Sequence, residues 1–267
     1  MHAIVNTLYE QMKKFLLDLR VVAVEHLNSR YILLRLTDDQ PLPDMKPGQF
    51  VEVRIDHSPT TFLRRPISIS FVDRKANELW LLVATIGDGT RSLAELKAGD
   101  WINCLLPLGN GFTQPTSKDE KILLVGGGVG VAPLLFFGKL IKDFGAEVSF
   151  LLGARSAKDL LELDNFMAFG RVFITTEDGS LGEKGLVTNH SILSKESFTR
   201  ISMCGPTPMM KAMARLAKKL GTPCEASLEN MMACGLGACL CCVEKTIEGN
   251  LRVCQDGPVF DVNKLLW

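Results

Sequence analysis

Near its C-terminus the chain reads ACGLGACLCCVE, residues 233–244, and one more cysteine, Cys254, follows. Thiolates this close together bind metal, and two questions follow: which of the five cysteines are ligands, and of what. Cys234, Cys239 and Cys242 fall in the spacing C-x4-C-x2-C, and with the distant Cys254 they complete the plant-type ligand pattern of a 2Fe-2S cluster. Gly235 and Gly237 suit that use, because glycine lets the backbone fold tightly around a cofactor with its amides free to hydrogen-bond sulfur. Cys241 is left over; in an extended segment its side chain points away from that of Cys242, so it is expected to be a small buried residue. A structural zinc is the competing use, but such sites usually pair two C-x2-C knuckles and only one is present.

Other stretches suit phosphate and dinucleotide chemistry. In RRPISIS, residues 64–70, Arg65 offers a planar donor fork to phosphate oxygens and Ser68 a hydroxyl within reach of a flavin ring. Alone, an arginine before proline is more often a solvated strand end. GDGT, residues 87–90, adds a turn whose amides could meet a diphosphate, although an ordinary hairpin turn reads the same way. LLVGGGVGVAPLL, residues 123–135, places its glycines between a buried strand and a helix, where phosphate approaches a helix N-terminus. Gly126, Gly127, Gly128 and Gly130 do not fit G-x-G-x-x-G, which argues against an ordinary Rossmann dehydrogenase. Cys204 in CGP reads as a small apolar residue that ends a buried strand. His2, His26, His57 and His190 have no metal or triad spacing and are expected to be surface or satisfied histidines.

The elements that must hold these residues change character along the chain. Segments such as RYILLRL, QFVEVRI and LWLLVATI, separated by turn signals, predict a small antiparallel barrel or sandwich over 15–115. From 120 to 222 buried strands alternate with helical stretches, which predicts a doubly wound parallel α/β domain. Residues 223–267 form a third, cysteine-rich piece, and 1–14 an N-terminal extension, with Ile4 to Leu16 readable as one helix outside the barrel. Over 267 residues, 30 basic side chains balance 30 acidic ones, leaving no electrostatic reason to expect nucleic acid. No run approaches the ~18 apolar residues of a bilayer-spanning helix. The N-terminus lacks the pattern of a secretory signal, so with eight cysteines a reducing, cytoplasmic setting is expected.

The order R-P-I-S, G-x-G-T, G-G-G-x-G-x-A-P and C-G-P resembles the ferredoxin-NADP reductase superfamily, in which a flavin barrel precedes a nicotinamide domain. With CGLGACLCC and VCQDGPVF added, the chain from about Phe15 to Val262 resembles the electron-transfer subunit of NAD-dependent, class 1B dihydroorotate dehydrogenase. The resemblance implies that Arg65, Pro66, Ile67 and Ser68 bind FAD, with Leu82, Val83, Ala84, Gly89 and Thr90 completing that site. It implies that Gly126, Gly127, Gly128 and Gly130 face NAD, with Cys204, Gly205 and Pro206 beside the nicotinamide, and that Cys234, Cys239, Cys242 and Cys254 hold the cluster.

It further implies a partner, an FMN-containing catalytic subunit that oxidises dihydroorotate in pyrimidine (UMP) biosynthesis, in a heterotetramer of two copies each. Hydride exchange between flavin and nicotinamide needs no acid or base, so no catalytic side chain is expected in this chain. Cys241 and the N-terminal extension depart from the family pattern. A ferredoxin or flavin reductase would share the first two domains, and a scaffold with structural zinc only the cysteines. Arg155, in GARS after the second α/β strand, leaves NAD against NADP open.

Overall fold

The structure, a computed structural model, describes residues 13–56 and 58–267. Strands β1 (Phe15–Asn28), β2 (Tyr31–Thr37), β3 (Phe50–Val53), β4 (Arg65–Asp73), β5 (Glu78–Ala84) and β6 (Trp101–Leu108) close into a barrel in the order β1-β2-β5-β4-β3-β6. All of its pairings are antiparallel. Closure follows from alternation: Leu34, Leu36, Val51, Val53, Leu79, Leu81 and Val83 point into one core. The expected helix over Ile4 to Leu16 is corrected at its end, where Phe15 and Leu16 begin β1 and pair with Leu106 and Leu105; its residues 4–12 lie outside the described ones. GDGT does not form a hairpin turn. It opens a short helix, α1 (Asp88–Leu93), with the Thr90 hydroxyl accepting from the Gly87 N–H at 3.1 Å.

The second sheet has seven strands in the order β10-β9-β8-β7-β11-β12-β15. They are β7 (Lys121–Gly127), β8 (Glu147–Ala154), β9 (Arg171–Thr176), β10 (Glu183–Lys184), β11 (Arg200–Cys204), β12 (Cys224–Ser227) and β15 (Val259–Asp261). All pairings are parallel except that of β15 with β12. Helices α2 (Ala132–Phe144), α3 (Leu163–Phe169), α4 (Ile192–Lys195) and α5 (Thr207–Leu220) lie between strands. The order reverses at β7, whose neighbours are β8 and β11, and a crevice beyond the strand ends at such a point is where doubly wound sheets take ligands.

The C-terminal segment is joined to both other parts. β12 and β15 extend the α/β sheet, while the hairpin of β13 (Val243–Thr246) and β14 (Gly249–Arg252) stands outside it. Cys242 and Cys254 share one core with Phe50 and Leu108 of the barrel and Leu123 of the sheet. On the other side Tyr31, Leu33, Phe71 and Leu82 of the barrel pack with Leu134, Phe137 and Phe150 of the α/β domain. Any cofactors held by the three parts are therefore fixed relative to one another by apolar packing.

Candidate functional site

The thiols of the C-terminal loop are organised by backbone amides. The Leu236 and Cys239 N–H groups donate to Cys234 Sγ at 3.3 and 3.5 Å, Gly237 N–H to Cys254 Sγ at 3.2 Å, and Cys254 N–H to Cys242 Sγ at 3.4 Å. Gly235 holds φ +64°, and a Cβ there would stand 2.7 Å from Glu52 Cγ, so both the left-handed turn and the close approach demand glycine. Cys234 and Cys239 are within side-chain hydrogen-bond reach of each other, as are Cys254 and Cys242, and Cys234 also lies near enough to act on Cys254. Burial works against ionising Cys234, but the Leu236 and Cys239 amides prevail and bring its pKa down to about 6. Burial and the neighbouring Cys242 push Cys254 up to about 12. Amide donors aimed at sulfur and thiols paired side by side fit an iron-sulfur group. Arg252 braces the loop, bonding Asp256 through Nε and Nη2 at 3.0 and 3.1 Å. Cys241 is exposed, contrary to the expected burial. Leu240 takes φ +59°, so the segment is not extended there, and it is Cys242 that turns into the core.

At the switch point of the sheet a cleft of about 590 Å³ lies between barrel and α/β domain. Gly127, Gly128 and Gly130 line it with Gly205, Pro206 and Ala84. Gly126 lies beneath, where a Cβ would strike Val131 Cγ1 at 2.8 Å. A Cβ on Gly130 would come within 2.4 Å of Gly205 Cα, so the G-G-G-x-G loop and the C-G-P turn cross backbone to backbone. That crossing explains glycines that do not follow G-x-G-x-x-G. Cys204 is fully buried and does not line the cleft; its thiol, 3.9 Å from Glu229 Oε1, is pushed up by burial and by that carboxylate. Arg155 stands in the wall with Asp159 and Glu177.

The two flavin signals, separate in sequence, meet in space. A Cβ on Gly89 would lie 3.4 Å from Arg65 Nε, so the first turn of α1 rests against the arginine, which itself bonds Leu63 O at 2.9 Å. Ser68 pairs with Phe50 and Pro66 with Glu52 across β3 and β4, which puts all four on the outer face of the barrel. Leu82 and Val83 commit their side chains to the interdomain and barrel cores, leaving only backbone to offer a ligand.

Several site residues carried no legible signal. Glu52 is fully buried between β4 and the thiol loop, and burial, opposed by Arg64, raises its carboxyl to about 7. In FVEV a glutamate between apolar residues reads as a solvent-facing strand position, and only the return of the C-terminus covers it. Glu229, in the loop after β12, and Tyr31, at the start of β2, join the cleft from far apart in sequence. His190 is a satisfied core histidine, its Nδ1 accepting from Ile192 N–H at 3.0 Å, and His26 is on the surface. His2 and His57 lie outside the described residues.

A closed barrel followed by a parallel sheet with a cleft at its switch point, ending in a thiol loop, defines an electron-transferring oxidoreductase of the ferredoxin-NADP reductase type. A solved NADH-dependent reduced ferredoxin-NADP oxidoreductase superposes with TM-score 0.84 at 28% identity, over 93% of this chain and 90% of that one. The ferredoxin NADP+ reductase of Neisseria gonorrhoeae shares the fold, with TM-score 0.64 at 18% identity over 77% of this chain and 92% of that one. Residues 229–266 match the iron-sulfur cluster binding domain of dihydroorotate dehydrogenase B, and residues 124–215 an oxidoreductase NAD-binding domain. The electron transfer subunit of dihydroorotate dehydrogenase B (NAD(+)) from Shouchella clausii is 40% identical over 83% of this chain and 86% of its own length. The subunit of that name from Listeria monocytogenes serotype 4a is 38% identical over 93% of this chain and 98% of its own. The chain belongs to the family of electron transfer subunits of dihydroorotate dehydrogenase B (NAD(+)), as an oxidoreductase component with NAD-binding and iron-sulfur-binding regions. Among the described residues no helix is long and apolar enough to cross a membrane.

Proposed function

We propose that the chain carries electrons from an FMN-containing catalytic subunit, which oxidises dihydroorotate, to NAD by way of one 2Fe-2S cluster and one FAD. The observation that carries this reading is the set of backbone amides aimed at the sulfurs of Cys234, Cys242 and Cys254, the kind of donors that surround iron-sulfur cysteines. Cys234 and Cys239 would hold one iron, Cys242 and Cys254 the other. On this reading 15–115 is the FAD-binding barrel, 120–222 the NAD-binding domain and 223–267 the cluster-binding domain, anchored by β12 and β15.

Arg65, Pro66, Ile67 and Ser68 hold the flavin from β4, with Gly89 and Thr90 of α1 beside Arg65 and the backbone of Leu82, Val83 and Ala84 completing the site. Gly127, Gly128, Gly130, Gly205 and Pro206 form the floor on which NAD lies, with Gly126 and Cys204 packed beneath. FAD supplies the conversion between paired and single electrons. Leu236 and Leu240, exposed in the thiol loop, give the partner an apolar surface beside the cluster. A heterotetramer of two copies each, working in cytoplasmic pyrimidine biosynthesis, completes the proposal. The test is to purify the chain from cells together with whatever binds it, identify the partner by mass spectrometry, count iron and flavin, and assay NAD reduction by dihydroorotate. Full activity of this chain alone with dihydroorotate and NAD would overturn the division of labour.

A further inference from the structure

Among the described residues, Glu52 is the only carboxylate with buried oxygens that lack any hydrogen-bond partner, and both of its oxygens do. Its side chain projects from the outer face of β3, with Pro66 of the R-P-I-S strand as its cross-strand neighbour. On the other side the thiol loop passes so close that a Cβ on Gly235 would stand 3.2 Å from Glu52 Oε1. Arg64, its main cationic neighbour, directs its guanidinium to the backbone carbonyl of Glu52 and to Asn103, leaving the carboxylate unbonded. Glu225 shows that this fold can satisfy a buried acid: its carboxylate accepts from Thr113 Oγ1 at 2.8 Å, Thr113 N–H at 3.2 Å and Ser202 Oγ at 2.7 Å. A buried carboxylate without donors destabilises the fold, so its presence between two cofactor-binding segments points to a use there.

We propose that Glu52 is a positioning residue that sets the reduction-potential step between the iron-sulfur cluster and the flavin, through the charge of a carboxylate held dry between the R-P-I-S strand and the thiol loop. The inference rests on the assignment of FAD and the cluster to those two segments. A negative charge in a region of low dielectric disfavours adding an electron nearby. The effect falls chiefly on the cluster, because Glu52 meets the loop directly at Gly235, next to the ligand Cys234.

The experiment uses the assembled complex, with the cluster midpoint followed by electron paramagnetic resonance and the flavin midpoint by absorbance at one fixed alkaline pH. Glu52→Gln, which keeps shape and removes charge, is expected to raise the cluster midpoint and narrow or widen the step to the flavin without lowering the melting temperature. Glu52→Asp, which keeps the charge, is expected to stay near the parent. Equal midpoints in Glu52→Gln and the parent would overturn the proposal, as would equal shifts in both variants, which would mark a packing effect. Should Glu52→Gln not retain its cofactors, retention in Glu52→Asp at the parent midpoint supports the role of charge, and loss in both variants refutes it. A parent complex without iron or flavin would instead overturn the functional assignment beneath the proposal.

Discussion

Gly130→Ala tests whether the crossing of the G-G-G-x-G loop and the C-G-P turn builds the floor of the cleft. The added Cβ would meet Gly205 Cα at 2.4 Å, Gly205 N at 2.6 Å and the Cys204 carbonyl carbon at 2.7 Å. Carbon atoms rest at about 3.5–4.0 Å, so two backbone segments must part by roughly 1 Å. All three contacts are main chain, and no rotamer change relieves them. Overpacking of this kind costs about 1–3 kcal/mol. The same displacement moves Gly205 and Pro206, which line the cleft, and each 1.4 kcal/mol lost from binding weakens NADH affinity about tenfold.

Gly128→Ala is the control. Its Cβ would meet only Tyr31 Oη, at 3.8 Å, but the residue sits at φ +57°. That substitution carries a left-handed strain of about 1–2 kcal/mol without pushing on the C-G-P turn. Thermal melting of both variants separates strain from displacement, and NADH binding by fluorescence reads Gly130→Ala against the parent, because Gly128 itself lines the cleft. A Gly130→Ala protein as stable as the parent, with unchanged NADH affinity, would refute the reasoning.

Replacing Cys234, Cys239, Cys242 or Cys254 with serine is expected to lower the iron content, while Cys241→Ser, altering an exposed residue, keeps it. With the cluster removed through Cys239→Ser, NAD reduction by dihydroorotate in the complex should stop while NADH still reduces an artificial acceptor at the flavin. Arg65→Ala should weaken FAD retention by about 1.5–3 kcal/mol, the usual loss for a charge-assisted phosphate contact, read as flavin remaining after dialysis. Glu162, which accepts from Ser70 Oγ and Asn165 Nδ2 and faces Glu25, is raised by burial from 4.5 to about 7. Between those values the folded chain binds a proton that the unfolded chain releases, so this group's contribution to stability is full below 4.5 and lost as pH rises through 7. Melting temperatures of Glu162→Gln should therefore gain on the parent with rising pH, and a constant difference would contradict the assignment.

The barrel and the α/β sheet were legible because alternation and buried runs are local, and each of these segments carries its own period. The spacing of Cys234, Cys239 and Cys242 was legible for the same reason, since it belongs to one loop, and the hairpin of β13 and β14 brings Cys254 back beside them. What sequence could not convey arises where segments distant in the chain meet. GDGT looks like a hairpin turn until α1 packs against Arg65, and Cys241 looks buried only if Leu240 is taken to be extended. Glu52 alternates as a solvent-facing residue should, and its burial comes from a loop about two thirds of the chain away. The flanks of β4 make that same point in functional terms. Among the described residues no cysteine lines the cleft, and the thiol loop meets the barrel instead at β3, Glu52 being the cross-strand partner of Pro66. A nicotinamide in that cleft and a cluster on those thiols thus share no lining residue. On the proposed assignment, a flavin held by β4 is the carrier that stands between them.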